Sequence, residues 1–306
     1  MIIDIPTKED FFQNGLSMLN LAWDAVASLY IGLEYSELDD IEEEGHTTEE
    51  YWKAAQHPIS VALALAQQGI ELLLKGRIAE VSPFLLLTGR RDWPSGCSDK
   101  DTPFADFRTI EAHELIRTHD SVVAEKLSDS FKSQFENIRR LRNIIFHGVD
   151  KRLRPKAEDV FRVILEAAHC LYEPRSWIRL RRDYLEKTPN SIAYYGPDST
   201  LILISEALHL IKTLKPFETN RYLGFYKNQR RYICYTCALN YSDVGIEPKI
   251  AVLDPNTPES NTLYCFVCDE HYAVLREKCT NDGCQGNVID AQDGVCLSCY
   301  KGVDIG

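Results

Sequence analysis

Eight cysteines in four close pairs constrain this chain more than any other feature: Cys234/Cys237, Cys265/Cys268, Cys279/Cys284 and Cys296/Cys299. Three pairs have the form C-x2-C, and the third has four residues between its cysteines. A turn of that spacing puts two thiolates on one ion, and two such turns complete a tetrahedral zinc site with sulfur at about 2.3 Å. Two zinc ions are therefore expected. Sequential pairing gives two ribbons, 234/237 with 265/268 and 279/284 with 296/299; an interleaved, cross-braced arrangement is the alternative. The segment CTNDGCQGNVIDAQDGVCLSC reads as a zinc ribbon throughout, with a knuckle, a short strand, a turn at Asp293–Gly294 and a second knuckle. Sites closed by four thiolates are structural, so the metal itself supplies no chemistry. His271 is a spare donor, because eight cysteines leave it no vacancy. Cys97 and Cys170 stand apart and read as packed thiols.

The chain upstream has a different texture. Apolar residues recur at helical spacing, without strand-like alternation, over 8–32, 50–80, 107–119, 121–147, 156–172, 174–187 and 199–214. Thr47 or Thr48 is placed to cap the second of these. Residues 36–50 form an acidic loop, and 89–105 are a turn-rich excursion between helices. The fold expected is mainly α: a helical bundle over 1–215, a basic and aromatic linker over 216–231, and a tandem zinc-ribbon module over 232–306. No 18-residue apolar run exists by this reading, and MIIDIPTKED lacks the basic and apolar regions of a signal peptide. A cytoplasmic protein with no membrane span is expected.

Charge is distributed unevenly. The chain carries a net charge of -12, yet residues 137–182 hold 12 basic and 5 acidic residues, while residues 1–60 hold 2 basic and 13 acidic. The middle of the chain suits an anionic partner. The linker adds Arg221, Lys227, Arg230 and Arg231 among Tyr222, Phe225, Tyr226 and Tyr232. That composition suits single-stranded nucleic acid, and equally a linker whose aromatics pack on the ribbon.

The segment 131–147, FKSQFENIRRLRNIIFH, is the most informative part of the body. Phe131, Phe135, Ile138 and Ile145 form an apolar stripe, and the stripe position left between the last two is Arg142. A guanidinium there is either paired with an acid on a neighbouring helix, Glu71 being one candidate, or lines a cleft. His147 falls in the last turn before Gly148, where the helix dipole favours imidazolium. The spacing Arg108/His113 is the same, but reads as the start of a surface helix; Arg162/His169 fits only a longer spacing, and His169 reads as packed.

Arg142-Asn143-Ile-Ile-Phe-His147 resembles the R-N-x-x-x-H signature of the HEPN family (higher eukaryotes and prokaryotes nucleotide-binding). The upstream IELLLKGRIAEV, the stretch TIEAHELIRTHDSV and the ending RNIIFHG follow that family's order, so the resemblance covers roughly residues 50–172. It implies a HEPN-like helical bundle and a metal-independent endoribonuclease acting as a homodimer, of the kind found in toxin–antitoxin and antiviral systems. The implied catalytic residues are Arg142, Asn143 and His147, the implied products 2′,3′-cyclic phosphates, and the implied partners RNA and a regulatory or antitoxin protein. Lys151, Arg152, Arg154 and Lys156 follow the motif as a candidate RNA path. The competing readings are a non-catalytic nucleotide- or RNA-binding scaffold and a zinc-ribbon adaptor.

Overall fold

The computed structural model describes residues 1–35, 47–147, 154–172, 176–189, 199–239 and 248–303. The chain divides into two compact units, Met1–Pro174 and Arg175–Gly306.

The first unit is helical: α1 (Lys8–Tyr35), α2 (Thr48–Ala54), α3 (Gln56–Val81), α4 (Ala112–Val122), α5 (Asp129–His147) and α6 (Ala157–Leu171). Helix α3 is its centre and packs against α1, α4, α5 and α6. Its sequence explains why. Apolar residues surround it, and Ile59, Leu63, Ile70, Leu73, Leu74 and Ile78 are all buried; a helix apolar on every side must be covered on every side. Two glycines set how closely α1 and α3 approach. A Cβ on Gly69 would stand 2.9 Å from the Gly15 carbonyl oxygen, and one on Gly15 would stand 3.0 Å from that of Gly69. By length and mean hydropathy, 1.3 and 1.2, Lys8–Leu33 and Gln56–Val81 are both long and apolar enough to cross a bilayer, which differs from the sequence expectation. Here they cover one another, and α3 buries the polar Gln67 and Glu71.

The segment expected as one helix over 50–80 is two, broken at Ala55. Pro58 is the cause: it has no N–H to give and its ring crowds the carbonyl four residues back, at Ala54. Thr47 begins α2 with a capping box, its hydroxyl accepting from the Glu50 N–H at 3.2 Å while the Glu50 carboxylate accepts from the Thr47 N–H at 3.0 Å. The 89–105 excursion consists of turns and short 3₁₀ segments, and a two-residue parallel pair, β1 (Ile2–Ile3) with β2 (Thr102–Pro103), ties it to the N-terminus.

The second unit contains α7 (Trp177–Lys187), α8 (Ser199–Thr213), α9 (Pro216–Leu223) and α10 (Tyr235–Leu239), with β3 (Arg231–Ile233), β4 (Lys249–Leu253), β5 (Thr262–Cys265), β6 (Glu270–Leu275) and β7 (Ile289–Asp290). The strands form one sheet in the order β3-β4-β5-β6-β7, each pair antiparallel. Between α7 and α8 lies a buried bidentate ion pair: Arg181 Nη2 donates to Glu206 Oε1 at 2.9 Å and Nε to Oε2 at 3.3 Å. Their side chains are 1% and 4% exposed.

One expectation about organisation differs from this. Helices α7 and α8, assigned from sequence to the body ending at 215, belong to the second unit. The stretch 216–231, expected as a basic and aromatic linker, contains a helix and packs its aromatics, one of the two readings its composition allowed. Pro216 opens α9 at its first turn, and Gly224 closes it with φ 76°, the left-handed conformation that glycine adopts freely. Phe225 follows, buried and stacked on Phe266 with centroids 5.1 Å apart.

Candidate metal centres and the Arg142 constellation

The eight cysteines gather into two groups of four, Cys234/Cys237/Cys265/Cys268 and Cys279/Cys284/Cys296/Cys299, with the Sγ atoms of each group within 4.8 Å of one another. Pairing is sequential, not interleaved. In the first group Cys234 Sγ lies 3.7 Å from Cys268 Sγ, and Cys237 Sγ 4.0 Å from Cys265 Sγ. In the second, Cys279–Cys299 and Cys284–Cys296 are both 3.9 Å. A tetrahedral ion with bonds of about 2.3 Å separates its sulfurs by about 3.8 Å, so both groups fit one, whereas a disulfide requires about 2.05 Å.

Local structure makes each group. In the first, Cys234 follows β3 and Cys237 sits one turn on in α10, while Cys265 ends β5 and Cys268 lies in the turn to β6. In the second, the Asn281 backbone and side-chain N–H groups donate to Cys279 Sγ at 3.4 and 3.3 Å, and the Gly286 N–H to Cys284 Sγ at 3.3 Å. A Cβ on Gly286 would stand 2.7 Å from Cys296 Sγ, so that turn has no room for a side chain. The turn foreseen at Asp293–Gly294 is present: the Asp290 carboxylate accepts from the N–H groups of Gln292 and Asp293 at 3.0 and 2.8 Å.

These donors matter because only thiolates ligate. Burial opposes ionisation of Cys279, but hydrogen bonds from Asn281, Cys296 and Cys284 together bring the thiol down to about 7. Burial pushes Cys299 up to about 12. Hydrogen bonds from Cys234, Cys237 and Cys265 hold Cys268 well below an ordinary thiol, helped by the Tyr272 hydroxyl at 2.6 Å. Without a cation, each group keeps charge on some sulfurs by withholding it from others; a divalent ion stabilises all four thiolates. His271 takes no part. Its Nε2 lies 3.0 Å from Asp254 Oδ2.

The bases and aromatics of 221–232 are largely committed. Phe225 and Tyr232 are buried. Lys227 donates to the Lys212 carbonyl at 3.1 Å, Arg231 to the Lys227 carbonyl at 3.5 Å, and Arg230 lies over Tyr232 while donating to Ser298 Oγ at 3.3 Å. Packing accounts for most of this segment, although Tyr226 stands in solvent, 60% exposed.

In the first unit, α5 carries the expected stripe, with Phe131, Phe135 and Ile138 each 2% exposed or less. Arg142 follows on the same face and reaches α3. Its Nε donates to Gln67 Oε1 at 3.0 Å, its Nη1 to Asn143 Oδ1 at 3.0 Å, and its Nη2 lies 3.9 Å from Glu71 Oε1. Gln67 in turn donates to Glu71. The guanidinium is thus paired with the acid considered from sequence, yet remains 28% exposed. His147 is the last residue of α5; its side chain lies outside the described residues, as do Lys151 and Arg152. Arg108 pairs with Glu111 beside an exposed His113, as expected of a surface helix start. Gln67, which aims Arg142, carried no sequence signal beyond being a polar residue on an apolar helix.

No family model matches this chain, and no curated protein or solved structure matches it either.

Proposed function

We propose that this protein is a HEPN-type, metal-independent endoribonuclease in which α5 supplies the site and a zinc-ribbon unit supplies recognition of RNA or of a protein partner. The observation that carries this reading is the solvent-reaching guanidinium of Arg142, locked by Gln67 beside the exposed amide of Asn143 at the end of a helix. A cation fixed in place before a phosphate arrives stabilises charge without reorganising, which is what phosphoryl transfer requires. In the reaction the ribose 2′-hydroxyl loses its proton and attacks the adjacent phosphorus. The bond to the 5′-oxygen breaks, that oxygen takes up a proton, and a 2′,3′-cyclic phosphate remains. His147 acts as the general acid or base. Five residues turn an ideal helix by about 140° between Arg142 and His147, so a homodimer, with Arg142 of one copy working beside the histidine of the other, is part of the proposal. The two four-cysteine groups hold zinc, because four thiolates at tetrahedral separations are its preferred donor set.

The test is incubation of the zinc-loaded protein with RNA in the absence of added divalent cations, followed by end-group analysis. Cyclic phosphate ends are expected from the parent, and none from Arg142→Ala or His147→Ala. Cleavage by both variants at the parent's rate sinks the assignment.

A second reading rests on the same contacts. The Gln67 and Glu71 partners make Arg142 a structural cation, and the helical unit then binds without cutting. That reading expects no cleavage by the parent, and a clear loss of thermal stability in Arg142→Ala from leaving Glu71 unpaired.

A further inference from the structure

A cavity of about 410 Å³ opens between the α2–α3 corner and the start of α6 in the first unit. We propose that this cavity is a nucleotide-binding subsite, in which Lys53, Arg154 and Lys156 hold the phosphate and the Trp52 indole takes the base. The source is either a free nucleotide or one nucleotide of an RNA strand; only the second rests on the RNA reading above.

The three cations all line the cavity and are all exposed. Among the described residues several arginines of this unit are engaged: Arg77 with Glu80, Arg139 with Glu136, Arg142 with Gln67, Arg162 with Asp159. Three cations against two acids leave a surplus of positive charge, which a phosphate takes up through charge-assisted hydrogen bonds. Two acids also line the cavity, Glu49 and Glu158. Glu158 lies near Tyr30, whose phenol is pushed well up by burial and then by that carboxylate. Helix α6 begins at the cavity, and its first turn receives no side-chain cap from Lys156 but carries Glu158 and Asp159, so the cations rather than the helix start supply the positive field.

The remaining lining suits a base. Trp52 is half-buried and braced by Tyr30, 5.0 Å between centroids, and by Tyr51 at 5.3 Å. A braced ring is a low-entropy stacking surface, and stacking of this kind contributes about 1–3 kcal/mol per base. Gln56 gives its amide N–H to the Trp52 carbonyl at 3.0 Å, which fixes which way round the amide sits. Its Oε1 is buried without a partner, an acceptor available to an exocyclic amine such as that of adenine.

The experiment is isothermal titration of the full-length, zinc-loaded protein carrying Arg142→Ala and His147→Ala, so that cleavage plays no part. The probes are adenosine 5′-monophosphate, adenosine and a ten-nucleotide oligoadenylate RNA. The monophosphate is expected to bind at least about tenfold more tightly than adenosine. Adding Arg154→Ala and Lys156→Ala, at two exposed side chains, is expected to cost at least about tenfold and to flatten the salt dependence of the RNA affinity by about 0.7 per cation removed. Loss of RNA affinity alone, with no measurable monophosphate binding in either protein, supports the subsite with an RNA strand as its source. Unchanged affinity and salt slope for both phosphate-bearing probes overturn the proposal, as does adenosine binding as tightly as its monophosphate. If the unsubstituted protein cuts no RNA while the double substitution still abolishes nucleotide binding, the nuclease reading fails and the subsite stands.

Discussion

The helical unit and the strand-bearing part of the second unit are ordered by different forces. Around α3, long helices bury leucine, isoleucine and aromatic side chains on every side, and Leu73, Leu74 and Ile78 are fully covered. Around the cysteines the elements are short: β7 has two residues, β3 three and β5 four. Strands of that length form few ladder bonds and bury little apolar surface, so they need a staple. Eight sulfurs in two groups of four, each spaced for one tetrahedral ion, are placed to supply it. Apolar packing tolerates small changes at many places, whereas a metal-stapled fold depends on one event at each site.

The sharpest way to break this contrast is to remove the metal. Chelation should unfold residues 231–239 and 248–303 and leave the first unit intact, because a structural zinc in each group, as proposed, would contribute on the order of 10 kcal/mol. Hydrogen exchange should show Ile289 and Leu297 losing all protection while Leu73 and Leu74 keep theirs; protection retained in both regions refutes the staple.

The second test concerns the α7–α8 pair. Glu206→Ala removes the bidentate charge partner of the buried Arg181 and should cost about 3–5 kcal/mol, read as a fall in denaturant midpoint at unchanged metal content. A change below about 1 kcal/mol would show that the pair is solvated in solution. Next is Gly69→Val, which drives a side chain into the Gly15 carbonyl and should cost about 1–3 kcal/mol in the first unit alone; a simultaneous loss of metal would mean that the units do not unfold separately.

The smallest effect is a pH dependence. His119 is buried, and burial lowers its pKa from the ordinary 6.5 against the opposing pull of Asp120. The unfolded chain therefore binds a proton more readily than the folded one, and stability rises with pH across that window. The first unit should lose stability as pH falls below about 6.5, and His119→Gln should remove the upper part of that loss. A melting temperature equally pH-dependent in both proteins places the titration elsewhere.

Much of this is legible in the sequence because it is local. Cysteine spacing points to the two metal groups and to sequential pairing, and apolar periodicity marks α1, α6 and α8 to within a few residues. The demand that Arg142 be paired follows from its neighbours, with Glu71 as a candidate. What stays hidden depends on which surfaces meet. Periodicity tells that α7 and α8 each have a buried face but not against what, and so places them on the other side of the division. Pro58, the break between α2 and α3, is masked by the apolar run that follows it. The aromatics of 221–232 resemble a ligand surface by composition, yet Phe225 and Tyr232 are spent on packing. The cavity beside Trp52 joins positions 52 and 154–158, a pairing that no window along the chain contains.

The spacing of the cysteines also bears on the order of assembly. The inner ligands of the first group, Cys237 and Cys265, are 28 positions apart, while those of the second, Cys284 and Cys296, are 12 apart. Closing the longer loop costs about 0.7 kcal/mol more chain entropy. If both groups hold zinc as proposed, and with equal thiolate chemistry, the C-terminal site captures its ion first in stepwise loading, and a nascent chain starved of zinc would present the 234–268 half as its last unfinished piece.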